Sequence, residues 1–178
     1  MEKVLFNEEQ RYDQRRLTLL MLTMVFVAVG PFIYGIYSQE VLNKPFGDKS
    51  TSTESLVLIC SLSVLMIGLT MLILFKIRLK TKITNEALWI SYPPIRKKWK
   101  KIAPEEIEKY EIRTYRAKRE YGGHGMKRRI RSGMSYTVSG NIGLQLYFKN
   151  GKKLLVGTQK KQAIEYAMEK IIKGENSV

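Results

Sequence analysis

Three kinds of residue in this 178-residue chain could do chemistry: one histidine, a cluster of glutamates, and runs of cations interleaved with aromatics. His124 lies in Tyr121-Gly122-Gly123-His124-Gly125-Met126. As a metal ligand it would need His or Cys partners, and the chain offers only one cysteine, Cys60, which likewise excludes an intramolecular disulfide and a Cys-based zinc site. As a general base it has no nucleophile or orienting carboxylate at useful spacing. The glycines around it do not follow the Gly-x-x-x-x-Gly-Lys-Ser/Thr pattern of a phosphate loop, and they suit a tight turn or bulge. Glu105, Glu106 and Glu108 could suggest acid–base work. Pro104 ahead of them, with acids at the positive end of a helical turn, accounts for them structurally. The expectation is a non-enzymatic protein with no catalytic residue, cofactor or metal.

The basic runs carry the stronger signal. They are Lys76, Arg78, Lys80 and Lys82 at alternate positions, Arg96-Lys97-Lys98-Trp99-Lys100-Lys101, Arg113-Thr114-Tyr115-Arg116-Ala117-Lys118-Arg119, and Lys127-Arg128-Arg129-Ile130-Arg131. Cations mixed with Trp or Tyr suit a nucleic-acid surface or a membrane surface, and the bland reading is a solvated face. The distribution of charge helps to choose. Residues 1–16 hold four basic and four acidic side chains, whereas residues 76–178 hold 25 basic and nine acidic, a net +16 on that last segment.

Two apolar runs precede it. Ser55 to Phe75 (SLVLICSLSVLMIGLTMLILF) carries no charge. A helix of that length at about 1.5 Å per residue matches a hydrocarbon core of about 30 Å. Leu17 to Tyr37 is the second run, and its Gly30-Pro31 is expected as a kink tolerated within a spanning helix. A signal peptide would share the basic flank and the small residues Ala28 and Gly30. Against it, the apolar run continues past Gly30, and Pro31 fits poorly after a cleavage point. Gly35 and Gly68, with Ser61 and Ser63, are expected to let the two helices approach closely. Arg11, Arg15 and Arg16 on one flank and Lys76, Arg78, Lys80 and Lys82 on the other predict two cytoplasmic ends and an external loop, residues 38–54.

The period then changes from helical to alternating, which predicts strands over 76–83, 87–92, 97–102 and 107–115. A basic strand, the glycine turn 121–126 and Lys127 to Arg131 follow, then strands over 135–138, 142–148 and 153–156. Asn150-Gly151 predicts a type I′ hairpin. Thr158 is expected to cap a helix over 159–173, with an apolar stripe of Ile164, Ala167, Met168, Ile171 and Ile172.

Some seven short antiparallel strands closed by an amphipathic helix, with the stretches YGGHGMKRR, YTVSGNIGLQLYF and GKKLLVGTQK, resemble the bacterial membrane proteins that carry a pleckstrin-homology-like (PH-like) domain behind a two-helix membrane hairpin. The resemblance runs over about residues 17–173. It implies a curled antiparallel sheet with the helix closing one open end, and no activity. Phosphoinositide-binding members carry cations around the first hairpin loop. Here that loop is Thr84-Asn85-Glu86-Ala87, so no such pocket is expected.

The resulting expectation is an α+β membrane protein. Residues 1–16 form a cytoplasmic segment, 17–75 the hairpin, 76–173 a basic PH-like cytoplasmic domain and 174–178 a tail. A domain held within a few Debye lengths of anionic headgroups, about 8 Å each, favours the bilayer over nucleic acid as partner. The candidate surface contacts are Lys76, Arg78, Lys80, Lys82, Arg96, Lys97, Lys98, Trp99, Lys100, Lys101, Lys127, Arg128, Arg129 and Arg131. The expected place is a bacterial inner membrane and the expected role an interaction or scaffolding module. The alternative is an accessory subunit that binds a transporter or membrane enzyme through the hairpin.

Overall fold

A computed structural model describes residues 3–46 and 51–174. Gly47 and the first residues of the polar run that starts at Lys49 lie outside the described residues, as does most of the expected tail, 175–178. The chain divides into two units, one made of residues 13–76 and the other of residues 1–12 together with 77–178.

The first unit is a pair of helices, α1 (Gln14–Glu40) and α2 (Thr53–Lys76), packed on each other. Both are long and apolar enough to cross a membrane. Asp13 sets the start of α1, its carboxylate accepting from the backbone N–H groups of Arg15 (3.0 Å) and Arg16 (3.4 Å). Pro31 lies inside α1, whose helical run continues past it. At the connecting end, the Thr53 hydroxyl donates to Glu40 at 2.8 Å and the Gln39 amide to the Thr51 carbonyl at 2.6 Å. Hydroxyls within the helices bond back one turn, Ser61 to Val57 and Ser63 to Ile59, both at 2.8 Å, so their polarity is satisfied locally. The glycines do not serve the expected close approach. A side chain at Gly35 would collide with the Phe46 ring, and at Gly68 it would meet nothing within 4 Å.

The second unit is α+β, with two sheets. The four-stranded sheet is an antiparallel meander of β1 (Val4–Arg11), β2 (Arg78–Thr84), β3 (Leu88–Tyr92) and β4 (Arg96–Ile102). Its first strand lies within residues 1–16, where the sequence predicts no element. The apolar hairpin is therefore an insertion between two neighbouring strands of one sheet. The reason β1 is cryptic lies in its inward positions, Phe6, Glu8 and Gln10: two of the three are polar, so the apolar alternation that signals a strand is missing.

A 3₁₀ turn (Pro104–Glu106) leads to the second sheet, as the Pro-Glu-Glu pattern predicts. That sheet comprises β5 (Ile107–Thr114), β6 (Gly125–Arg129), β7 (Gly133–Thr137), β8 (Ile142–Phe148) and β9 (Lys153–Gly157), in the order β5-β8-β9-β7-β6. All neighbours are antiparallel except β7 and β9. Between β5 and β6, residues Ala117–Tyr121 form a short helix, α3, where a basic strand was expected; Gly122 ends it in the left-handed region at φ 76°. Asn150-Gly151 does make the predicted hairpin, but only Gly151 takes positive φ, so the turn is not type I′.

The last helix, α4 (Lys161–Lys173), packs on β1, β2 and β8. Ile164, Ala167, Met168 and Ile171 are buried, and each large aliphatic among them contributes about 1.5–3 kcal/mol. Ile172, expected in that stripe, is 40% exposed. Thr158 lies before the helix start and accepts from the N–H of Lys160 at 3.1 Å. The core is completed by Leu79, Ile83, Leu88 and Ile90 from the first sheet and Leu144, Leu146 and Leu154 from the second. Tyr92 joins the sheets, donating its hydroxyl to the Thr137 carbonyl at 3.2 Å. Burial pushes that phenol far above its ordinary range, which keeps it a neutral donor.

Candidate membrane-surface interface

The fourteen candidate residues fall into three settings. Lys76 ends α2 and belongs to the helical unit. Arg78, Lys80 and Lys82 lie on β2, a central strand, and point to its half-buried face. There β1 supplies a carboxylate the sequence reading had not paired with them: Glu9 stands 3.1 Å from Arg78, 3.4 Å from Lys80 and 2.9 Å from Arg11. Burial opposes ionisation of Glu9, but the hydrogen bonds from Arg11 and Lys80 outweigh it and hold the carboxyl below its usual range. Lys82 is itself engaged. Glu9 thus shares its one negative charge among Arg11, Arg78 and Lys80, and the comb stays net positive.

The second setting is the edge strand β4. Arg96, Lys97, Lys98 and Lys101 are exposed, and Trp99 is 45% exposed among them. A lysine-rich edge discourages pairing with another sheet. Some of these cations are partly committed: Arg96 donates to the Tyr136 hydroxyl at 3.2 Å, Lys101 lies 5.4 Å from the Trp89 ring centroid and Lys100 lies 5.8 Å from that of Phe148. Burial, with Arg96 and Lys152 nearby, lowers the pKa of Lys100. Lys97, Lys98 and Trp99 remain directed at solvent.

The third setting is the tip of the β6–β7 hairpin. Lys127, Arg128 and Arg129 end β6, Arg131 is in the turn, and all are exposed. Ile130 at the apex is fully exposed, at 104% relative to the reference residue. An isoleucine held at the end of a hairpin between arginines is apolar surface with no partner in this unit. A cleft lies on each side of the tip. One is shared with Lys100, Lys152 and Lys153; the other is shared with Arg116 and Arg119 of the α3 region.

Arg116 and Arg119 were visible in the sequence as part of a basic run but were not among the candidate contacts. What brings them to the tip is α3, closed by Gly122. A Cβ at Gly122 would come within 2.8 Å of the Arg129 guanidinium, so the glycine lets Arg129 lie close against the end of that helix. The three positive-φ glycines 122, 123 and 125 in the sequence were the available signal for this reversal. The far face of the sheet holds α3 in place: Tyr115, Tyr121 and Leu155 form a buried cluster, and Arg113 donates to Glu120 at 2.7 Å.

No protein-family model matches this sequence, and no curated protein matches it. Among the described residues, no group of three His, Cys, Asp or Glu side chains stands close enough to hold a metal ion. His124 is half-buried, its ring 6.4 Å from that of Tyr115, and burial lowers its pKa.

Proposed function

We propose that this chain is a non-enzymatic integral membrane protein whose basic unit is an interaction or scaffolding module for the anionic surface of the bilayer. The observation that carries the reading is the β6–β7 tip, an exposed isoleucine between arginines to which, among the described residues, no acid is paired. Apolar insertion plus cation–headgroup attraction is the combination that holds peripheral elements at an interface. The register Arg11↔Arg78 supports one side of the membrane for both ends of the hairpin, because strands joined in one sheet leave from the same side. The positive flanks make that side the cytoplasm, and an inner membrane of a bacterium is the setting.

The strand order supports a PH-like fold. A four-strand meander, β1 to β4, is followed by the antiparallel set β5-β8-β9 and a C-terminal helix. In this reading the membrane hairpin is inserted after the first strand, and α3 with β6–β7 is inserted between β5 and β8. The inserted hairpin is then the element that carries the contact.

The test uses the full chain in nanodiscs, with Cys60→Ser and an environment-sensitive fluorophore on Ile130→Cys. The expected result is a blue-shifted emission in discs containing phosphatidylglycerol, absent in phosphatidylcholine discs and reversed by high salt. Equal emission in both lipids would overturn the reading.

A second reading, an accessory subunit that binds a transporter or membrane enzyme through α1 and α2, is favoured by Gly30 and Gly68. Both are open to a further helix, with nothing within 4 Å of a Cβ. A stoichiometric partner co-purifying in mild detergent and lost in Gly68→Leu would select it.

A further inference from the structure

We propose that the cleft between α3 and the β6–β7 tip is a binding site for a phosphate monoester, held by Arg116, Arg119, Arg128, Arg129 and Arg131. The proposal names the anion for the surface reading above and rests on it. The five guanidinium groups line one cleft of about 1090 Å³, together with a single carboxylate, Glu120. That carboxylate is already used. One of its oxygens accepts from Arg113 at 2.7 Å and the other from the backbone N–H of Arg116 at 2.7 Å. Among the described residues none of the five arginines forms an ion pair, whereas their neighbour Arg113 does. The fold therefore neutralises the arginine beside the cleft and leaves those lining it to an outside anion.

The geometry of the donors selects the anion. Each guanidinium presents its N–H groups in a planar fork that fits two oxygens at once. A carboxylate offers two oxygens and one charge, and a phosphodiester two unbridged oxygens and one charge. A phosphate monoester offers three terminal oxygens and a charge near −1.5 to −2, so it can engage forks from both walls of the cleft. The walls are α3 with its leading residue Arg116 on one side and the β6–β7 tip on the other. Ile130 at the tip then suits a monoester that is the headgroup of a lipid. A soluble phosphorylated metabolite has the same headgroup chemistry without the acyl chains.

The full chain is reconstituted in phosphatidylcholine nanodiscs and titrated calorimetrically with glycerol 3-phosphate. In parallel, native mass spectrometry of mixed-lipid discs measures enrichment of phosphatidic acid over phosphatidylglycerol supplied in the excess that equalises the total charge of the two lipids. Arg116→Gln with Arg119→Gln should weaken saturable binding about tenfold or more, while Lys97→Gln with Lys98→Gln, which removes the same charge from β4, should change it less than about twofold. Arg128→Gln with Arg131→Gln tests the opposite wall and should also lose binding, guarding against an effect of the first pair on α3. Phosphatidic acid enrichment assigns a lipid source, and glycerol 3-phosphate binding without it assigns a soluble one. Absence of saturable binding for both probes, or equal loss in the β4 variant, overturns the site. The Ile130 fluorophore reports independently on phosphatidylglycerol, so the cleft can fail while the surface reading stands.

Discussion

Glu8 and Thr158 are 150 residues apart in the chain and share a hydrogen bond of 2.8 Å, the threonine hydroxyl donating to a carboxylate that is only 5% exposed. The other oxygen of Glu8 accepts the backbone N–H of Gln159 at 2.8 Å, and Gln10 donates to the Gly157 carbonyl at the same distance. These bonds tie the strand that precedes the apolar hairpin to the turn that starts the last helix. The inward polar residues of β1 are clasps, which is why they sit where apolar residues would be expected.

Removing the clasp should cost stability. Glu8→Ala leaves the Thr158 hydroxyl and Gln159 N–H without their acceptor, and the expected loss is about 1–3 kcal/mol. Glu8→Gln, which keeps one acceptor oxygen, should lose less. Thermal melting of the full chain in detergent, compared across both variants, measures this.

The β1–β2 register predicts a water-soluble version of the basic unit. Arg11 stands opposite Arg78, so residues 13–76 can be replaced by Asn-Gly to make a short connection between the two strands. That protein should be folded and monomeric, with dispersed amide resonances. Residues 77–178 alone, lacking β1, should expose the β2 edge and one side of α4 and aggregate.

Acidification should act in two steps. Burial holds the His124 pKa below 6.5, so the unfolded chain binds a proton before the folded chain does, and stability falls as pH drops below about 6.5. The hydrogen bond from Arg113 is the chief cause that holds the Glu120 carboxyl below 4.5. Its contribution is therefore present above that value and is lost as pH falls through the lower folded pKa. Melting temperatures measured across this range should show the first step abolished by His124→Asn and the second reduced by Glu120→Gln, the lowered carboxyl of Glu9 supplying a further part of it.

Two glycines with the same backbone angle should differ in cost. Gly133 and Gly140 both have φ 78°, but a Cβ at Gly133 would strike the Lys153 carbonyl, while one at Gly140 meets nothing within 4 Å. Gly140→Ala should cost only the left-handed penalty, about 1–2 kcal/mol. Gly133→Ala should cost more and should raise amide exchange along the parallel β7–β9 pairing, read by hydrogen exchange.

Much of this fold is written in local periodicity. The two long helices are legible as apolar runs, and β2, β3, β8, β9 and the last helix as elements that bury one face, whereas β4 is buried only at Ile102 and β5 pairs with the distant β8. β1 was not, since Glu8 and Gln10 make its buried face read as solvated, and its partner lies beyond the hairpin. α3 was hidden because Arg116, Lys118 and Arg119 are exposed and only Tyr121 is buried, too little for a period in five residues. The candidate surface was legible as composition alone. Which cations already share an acid, as Arg78 and Lys80 share Glu9, depends on pairing across 69 or more residues.

The place of the apolar hairpin between β1 and β2 also imposes an order of events during synthesis. Strand β1 is made first but must wait for its partner, since Arg11 and Arg78 are 67 positions apart. At about 5–20 residues per second that wait is roughly 3–13 s, long enough for both apolar helices to be synthesised before the sheet can close. During it, an ordinary apolar strand would be a hazard next to the ribosome. Glu8 and Gln10 make β1 a strand that tolerates waiting, its inward face polar at two of three positions until Thr158 and Gly157 arrive to take up those side chains.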